Sequence, residues 1–316
     1  MKILVTGGAG FIGSNLCERL LDEGHTVLCV DNFITGSIDN IQAFIDHPRF
    51  TFLQHDVTQP FESDAEVIFH LASPASPVGY LEHPIETILV NSVGTHRMLE
   101  LARKNNARFL ISSTSEIYGD PLVHPQSEEY WGNVNSIGPR ACYDESKRLG
   151  ETLVMEYYRQ YQINVRIVRI FNTYGPNSAL EDGRMIPNFI TQALKNEPIT
   201  IYGDGNKTRS ITYVSDLVEG LMRAMFSPNT TGEVFNLGSS EEHTVLEYAQ
   251  MIIRLCNSSS EILFETSRVD DPERRRANTT KAQQILGWER KVSMEDGLRQ
   301  TIEWFSKRIG QYSTIS

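Results

Sequence analysis

The chain is short of the features that mark several large protein classes. It has four cysteines, Cys17, Cys29, Cys142 and Cys256, widely spaced and with no CxxC pair. That excludes a disulfide-dense scaffold and a Cys-rich zinc module, and it leads to an expectation of four reduced thiols. None of its eight histidines forms an HxxxH or HxH pair, so no metal site is expected. Apolar runs stop well short of the roughly 20 residues that a membrane helix needs. Basic charge is also scarce. The formal net charge is −11, which argues against nucleic acid or an anionic membrane as partner. An anionic small ligand would need arginines that reverse the field locally. The opening Met1-Lys2-Ile3-Leu4-Val5 reads directly as a strand and not as a leader, so the expected location is cytoplasmic.

What is present is a globular composition, with 40% hydrophobic residues in 316. This length can bury a large core. Apolar runs at Lys2–Thr6, Thr26–Asp31, Phe50–Asp56, Val67–Ala72, Phe109–Thr114 and Val165–Phe171 read as strands. Several are nearly continuous, as in parallel strands covered on both faces. Helical patterns at Phe11–Glu23, Ile85–Lys104 and Tyr143–Gln160 separate them. The alternation predicts an α/β fold, a Rossmann-type doubly wound parallel sheet. After Phe171 it weakens into Gly-, Pro-, Asn- and Asp-rich loops with short segments at Ile199–Tyr202, Ser210–Val214 and Val234–Leu237. We therefore expect residues 1–171 to form a nucleotide-binding domain, with later segments crossing back. Residues 172–316 should mainly form a smaller C-terminal substrate-binding domain, with a frayed tail after Arg308.

The run Val5-Thr6-Gly7-Gly8-Ala9-Gly10-Phe11-Ile12-Gly13 lies between a strand and a helix. It fits GxxGxxG through Gly7, Gly10 and Gly13, and GxGxxG through Gly8, Gly10 and Gly13. Such glycines allow a tight turn, a close approach to a pyrophosphate, and close packing of helix on sheet. The helix N-terminus adds free N–H groups. Asp31 ends the second strand, 18 residues beyond Gly13. A carboxylate there suits ribose hydroxyls and repels a 2′-phosphate, which selects NAD over NADP. Phe11, Ile12, Asn32, Asp56, Val57, Leu71 and Ala72 complete the expected cofactor set.

Tyr143 and Lys147 stand at i and i+4 in Tyr143-Asp144-Glu145-Ser146-Lys147. On a helix they share a face at about 6 Å. An ammonium there would favour the phenolate, making Tyr143 a base near neutral pH. Alone, YxxxK is often an ordinary surface pair. Downstream of a dinucleotide motif it becomes specific.

With both motifs in one chain, the sequence resembles the extended short-chain dehydrogenases/reductases that act on nucleotide sugars. The resemblance implies that Thr114, Tyr143 and Lys147 surround the sugar C4 hydroxyl and the nicotinamide. The 4,6-dehydratases of this family carry Thr-Asp-Glu, in which the Asp protonates the leaving C6 hydroxyl. Here the sequence is Thr114-Ser115-Glu116, which is similar to the UDP-glucuronic acid decarboxylases. Further marks of that subgroup are Leu71-Ala72-Ser73-Pro74-Ala75-Ser76-Pro77, His124-Pro125-Gln126-Ser127-Glu128 with Tyr130-Trp131-Gly132, and Gly138-Pro139-Arg140-Ala141-Cys142-Tyr143-Asp144-Glu145. Gly238 with Glu241-Glu242-His243-Thr244 is another.

The resemblance also aligns Arg275 with an active-site arginine. The family usually reads Lys-Arg-Lys-Pro where this chain, after Asp270-Asp271-Pro272-Glu273, reads Arg274-Arg275-Arg276-Ala277, so Arg274 and Arg276 are the neighbouring registers. The implied reaction is NAD-dependent loss of CO₂ from UDP-glucuronic acid through a 4-keto sugar, giving UDP-xylose. Glu116 and Arg275 would organise the sugar and the reprotonation of C5. Ser73, Ser115, Asn172, Arg184, Tyr202, Arg209 and Tyr213 are the remaining expected substrate contacts. A homodimer through the helices near Ile85–Lys104 and Tyr143–Gln160 is also implied. The alternatives are 4,6-dehydration or C4 epimerisation and, in another class, a non-catalytic NAD-binding sensor or scaffold.

Overall fold

The computed structural model describes residues 1–266 and 274–313. Seven parallel strands form one sheet: β1 (Lys2–Thr6), β2 (Thr26–Asp31), β3 (Phe50–Gln54), β4 (Val67–His70), β5 (Arg108–Thr114), β6 (Val165–Ile170) and β7 (Glu233–Leu237). Their order is β7-β6-β5-β4-β1-β2-β3. The first half of the sheet is wound outward on one side of β1 and the second half on the other, as in the Rossmann-type doubly wound fold.

The side chains of β1 show why its middle is apolar. Ile3 and Val5 pack on one face with Leu16, Cys17 and Leu20 of α1 (Phe11–Asp22). Leu4 packs on the other face with Val30, Ile68, Met98 and Leu99. A strand covered on both faces reads as a near-continuous apolar run, and a polar side chain that enters it finds a partner, as Thr6 Oγ1 does with His70 Nδ1 at 2.8 Å. Burial of this kind contributes roughly 25 cal/mol per Å² of apolar surface.

The sequence pattern predicts one helix over Ile85–Lys104, and the structure breaks it. α2 (Pro84–Leu89) passes into a π-helical turn at Val90–Gly94 and then into α3 (Thr95–Asn105). The wide turn accompanies an inward side chain. Asn91 is buried, and its Nδ2 donates to Ser73 Oγ at 3.1 Å and to Ser146 Oγ at 3.0 Å. Single π-turns of this kind are often found at functional sites. α4 (Ala141–Tyr161) packs beside α2 and carries Tyr143 and Lys147.

Beyond β6 the described residues build three small sheets. Ile199–Tyr202 pairs in parallel with Ile262–Glu265. Thr208–Arg209 lies between His243–Thr244 and Arg274–Arg275. Thr173–Tyr174 pairs with Thr212–Tyr213. The segment at Val234–Leu237 is not part of these sheets. It extends to Glu233 and pairs with β6 as the edge of the large sheet. The helix before it, Val214–Phe226, lies against α1.

The tail expected to fray after Arg308 continues as helix as far as Ser313, in Met294–Ser313, and residues 314–316 lie outside the described residues. Arg308 pairs with Asp39 and lies over the Trp304 ring, which ties this last turn to the loop after β2. Among the described residues no helix is long and apolar enough to cross a membrane. Asp270-Asp271-Pro272-Glu273 lies outside the described residues.

Candidate active site

A cleft of about 1140 Å³ opens at the carboxyl ends of the strands, where the strand order reverses between β1 and β4. Ligands bind at this switch point in open α/β sheets. Gly7, Gly10, Phe11, Ile12 and Gly13 line one end. Gly7 has φ +69 and donates its N–H to Val30 O at 2.8 Å. A Cβ on Gly13 would lie 2.1 Å from Gly7 O, so only glycine lets α1 seat on the turn. Gly8 does not line the cleft. A Cβ there would lie 2.5 Å from Cys29 Sγ, so Gly8 faces the core. The spacing through Gly7, Gly10 and Gly13 is therefore the one that faces the cleft. Gly10 caps α1 with no side-chain hydrogen bond, which leaves the first N–H groups for an anion.

Asp31 ends β2 beside this turn. Its Oδ2 accepts from Ala9 N at 3.0 Å and its Oδ1 from Phe33 N at 2.8 Å. Burial raises its pKa, while the N–H bonds from Phe33 and Ala9 oppose the rise. Asn32, Asp56, Val57, Leu71 and Ala72 also line the cleft. Asp56 Oδ1 accepts from Thr58 N at 2.9 Å. A side-chain-free turn, an uncapped helix start and an acid at the end of β2 fit a dinucleotide with free ribose hydroxyls.

Tyr143 and Lys147 are both buried on α4 and both reach the cleft. Thr114, at the end of β5, hydrogen-bonds Tyr143. Lys147 Nζ donates to Ser112 O at 2.9 Å and lies 5.8 Å from the centre of the Tyr143 ring. The expected lowering of the Tyr143 pKa by this ammonium is not found in the protein by itself. Burial pushes Tyr143 above its ordinary value, with the Thr114 bond opposing. Lys147 is itself brought down to about 7 by burial, against the pull of Glu151. Desolvation is the largest cause at each of these two buried groups.

Glu116 follows β5 in a 3₁₀ turn and is held by two arginines. Arg275 Nη1 pairs with its Oε1, and Arg275 Nη2 donates to Oε2 at 3.0 Å. Arg140, just before α4, also pairs with Oε2. Burial opposes the Glu116 charge, but Arg275 and Arg140 keep its carboxyl below the ordinary range. Arg275 is in the cleft, and Arg276 pairs with Glu242 at 3.3 Å.

Ser73, Ser115, Asn172, Arg184, Tyr202 and Arg209 line the same cleft. Arg184 begins the helix Met185–Leu194, and its Nε donates to Asp182 Oδ2 at 2.7 Å. Tyr213 does not line it. Its ring packs on Tyr174 and its hydroxyl donates to Gln300 Oε1 at 3.0 Å, so it belongs to the core. Sequence reasoning missed Arg140 and Tyr80. Arg140 stood in the quoted tract before Tyr143, where its charge was the available signal. Tyr80 stacks on Tyr143 with ring centres 5.1 Å apart, and no spacing announces it.

Comparison with known proteins fits this geometry. Residues 4–301 match the family model of GDP-mannose 4,6 dehydratase. The chain is 51% identical over 308 residues to UDP-glucuronic acid decarboxylase 1 of Danio rerio, covering 98% of this chain and 73% of that protein. It is 50% identical over 311 residues to UDP-glucuronic acid decarboxylase 5 of Arabidopsis thaliana, covering 98% and 91%. Among solved structures, a UDP-glucuronic acid 4-epimerase from Bacillus cereus, in complex with UDP-glucuronic acid and NAD, has a TM-score of 0.89. That pair is 30% identical and covers 98% of this chain and 100% of the other. A dTDP-glucose 4,6-dehydratase from Bacillus anthracis in complex with NAD has a TM-score of 0.86 at 29% identity, covering 100% of both chains. The chain belongs to the extended short-chain dehydrogenase/reductase family and, within it, to the UDP-glucuronic acid decarboxylases.

Proposed function

We propose that this protein is a carboxy-lyase that converts UDP-glucuronic acid to UDP-xylose and CO₂ with tightly held NAD. The observation that carries this reading is the arrangement at Thr114-Ser115-Glu116. Serine stands where dehydration needs an acid, and both Glu116 oxygens are engaged by arginine. Loss of water from a 4-keto sugar needs a base for the C5 proton and an acid for the C6 hydroxyl. Loss of CO₂ from a β-keto acid needs neither, because the electron pair delocalises into the C4 carbonyl.

When bound, NAD supplies a hydride acceptor and donor for the sugar C4. Gly7, Gly10, Phe11, Ile12 and Gly13 hold its pyrophosphate. Asp31 and Asn32 meet the ribose, with Asp56, Val57, Leu71 and Ala72 around the remainder. Tyr143 Oη takes the C4 hydroxyl proton and later returns it. Thr114 bonds the C4 oxygen. Lys147, brought near neutrality, is matched to proton movement beside Tyr143. Arg275 and Glu116 orient the sugar and the proton delivered to C5. Ser73 and Ser115 contact the sugar. Asn172, Arg184 and Arg209 meet the diphosphate, where a guanidinium fits best. Tyr202 lies along the uridine. Residues 1–171 chiefly serve the cofactor and residues 172–316 the UDP-sugar.

The protein works as a cytoplasmic homodimer in this reading. Four unpaired cysteines support the location. Exposed Ile85, Leu89, Val93 and Leu149 on the adjoining α2, π-turn and α4 support the dimer. Mass analysis of products from UDP-glucuronic acid, with and without added NAD, tests the reaction. CO₂ and a UDP-pentose are expected in both. Consumption of a UDP-hexose without CO₂ release would overturn the assignment.

A further inference from the structure

Two tracts of the sequence, His124-Pro125-Gln126-Ser127-Glu128 and Glu241-Glu242-His243-Thr244, do not line the cleft, and both close on one residue, Arg276. Gln126 is fully buried, and each of its polar groups has a partner. Its main-chain N–H donates to Arg276 O at 3.0 Å, and its Oε1 accepts from Arg276 N at 3.0 Å. Its Nε2 donates to Val123 O at 2.7 Å. Its main-chain carbonyl accepts from Asn278 N at 2.8 Å and from Asn236 Nδ2 at 3.1 Å. The amide can face only one way, because Arg276 N only donates and Val123 O only accepts. Asn236 belongs to β7, and its N–H donates to Glu128 Oε1 at 2.8 Å, so the grip on Arg276 is anchored on the edge of the large sheet. From the other tract, Glu242 pairs with the Arg276 guanidinium and accepts from Thr208 Oγ1 at 2.6 Å.

We propose that Gln126 is a positioning residue: by fixing the main chain at Arg276 it aims Arg275 at Glu116 in the cleft. The inference rests on the decarboxylation proposed above and adds to it a residue that does not line the cleft. Arg275 ends a strand of two residues, Arg274–Arg275, which pairs with Thr208–Arg209. Its carbonyl accepts from Ser210 Oγ at 3.3 Å. So short a strand fixes its end weakly. The two bonds between Gln126 and the Arg276 main chain make that end a fixed point between the small sheet and the large one. Successive side chains of extended backbone point to opposite faces. Arg276 accordingly reaches Glu242 while Arg275 reaches Glu116 with both of its terminal nitrogens. A two-pronged pair of this kind depends on the direction of the guanidinium plane, and a loosened main chain at Arg276 degrades it.

Gln126→Met keeps the length of the side chain and removes both amide bonds. Its kcat/KM for UDP-glucuronic acid, read as CO₂ release, should fall at least about tenfold. The Kd for UDP, which lacks the sugar, should change less than about twofold. In an Arg275→Ala background, measured in single turnovers, the same substitution should cost less than about twofold, because its effect passes through Arg275. A role confined to stability predicts equal losses in both backgrounds and a matching loss of UDP affinity, and either result overturns the proposal. Hydrogen exchange of the wild type keeps the test independent of whether the variants fold. The Arg276 and Asn278 amides, both bonded to Gln126, should exchange at least about a hundredfold more slowly than in the unfolded chain. Unprotected amides there overturn the proposal as well. CO₂ release by the wild type with an undiminished Gln126→Met defeats this inference alone, whereas no CO₂ from the wild type defeats the assigned reaction.

Discussion

Lys147 is almost fully buried, with its ammonium on the Ser112 carbonyl. Its folded pKa, about 7, lies below the ordinary value of a free lysine. The unfolded chain therefore binds more protons throughout the interval between the two. Stability contributed through this group must rise with pH from about 7 toward 10, because the penalty for burying an uncharged lysine shrinks there. The penalty near neutral pH is about 4 kcal/mol. Lys147→Met removes it, so the unfolding free energy of the wild type should gain on that variant as pH increases. Urea unfolding of both proteins at several pH values measures the gap, and a constant gap contradicts the account. Other single residues divide by how far chemistry alone could place them. Arg275 was one of three adjacent arginines, and only its pairing with Glu116 separates it from Arg276. Tyr213 was a candidate by residue type. A buried tyrosine needs a partner for its hydroxyl, and the exposed Gln300 supplies one at the outer end of the ring.

At the scale of elements, helix Val245–Cys256 begins with a full capping box. Thr244 Oγ1 accepts from Glu247 N at 3.1 Å, and Glu247 Oε2 accepts from Thr244 N at 2.7 Å. Thr244→Ala should cost about 1 kcal/mol of stability, read as a lowered denaturation midpoint with unchanged slope. An unchanged midpoint would mean that tertiary packing alone holds this helix start. The strands were legible because burial on both faces writes an unbroken apolar run. The break within Ile85–Lys104 was not. Its cause is Asn91 reaching Ser73, 18 positions earlier, and Ser146, 55 positions later. Local periodicity carries no trace of partners so far away. The helical course from Arg308 to Ser313 was not legible for a related reason, since Arg308 is fastened to Asp39.

For the whole molecule, the faces left uncovered matter most. Ile85 is 62% exposed and Leu149 45%, on helices that pack together. An apolar stripe of this kind on two adjoining helices suits a second copy of the same surface. Leu149→Glu should shift the protein toward monomer in sedimentation analysis. A wild type that is monomeric at working concentration would end the dimer reading. The cleft is also a property of the whole chain. It takes Gly7 from the turn after β1, Thr114 from β5, Tyr143 from α4, Arg184 from the cap of the helix Met185–Leu194, and Trp304 and Ile309 from the last helix.

The amino-acid sequence by itself determined the strand-turn-helix at Gly7–Gly13, the acid at Asp31, the Tyr143–Lys147 spacing and the parallel α/β pattern. Each depends on residues close together in the chain, where backbone geometry and periodicity act directly. The glycine turn is the clearest instance, because steric exclusion at Gly13 is set by Gly7 only six positions away. Tertiary structure alone decided which arginine meets Glu116, that Glu233–Leu237 is a segment that crosses back to the large sheet, and that Lys147 is displaced from its usual ionisation. Those outcomes depend on burial and on charges brought together from distant segments, and neither exists until the chain has folded.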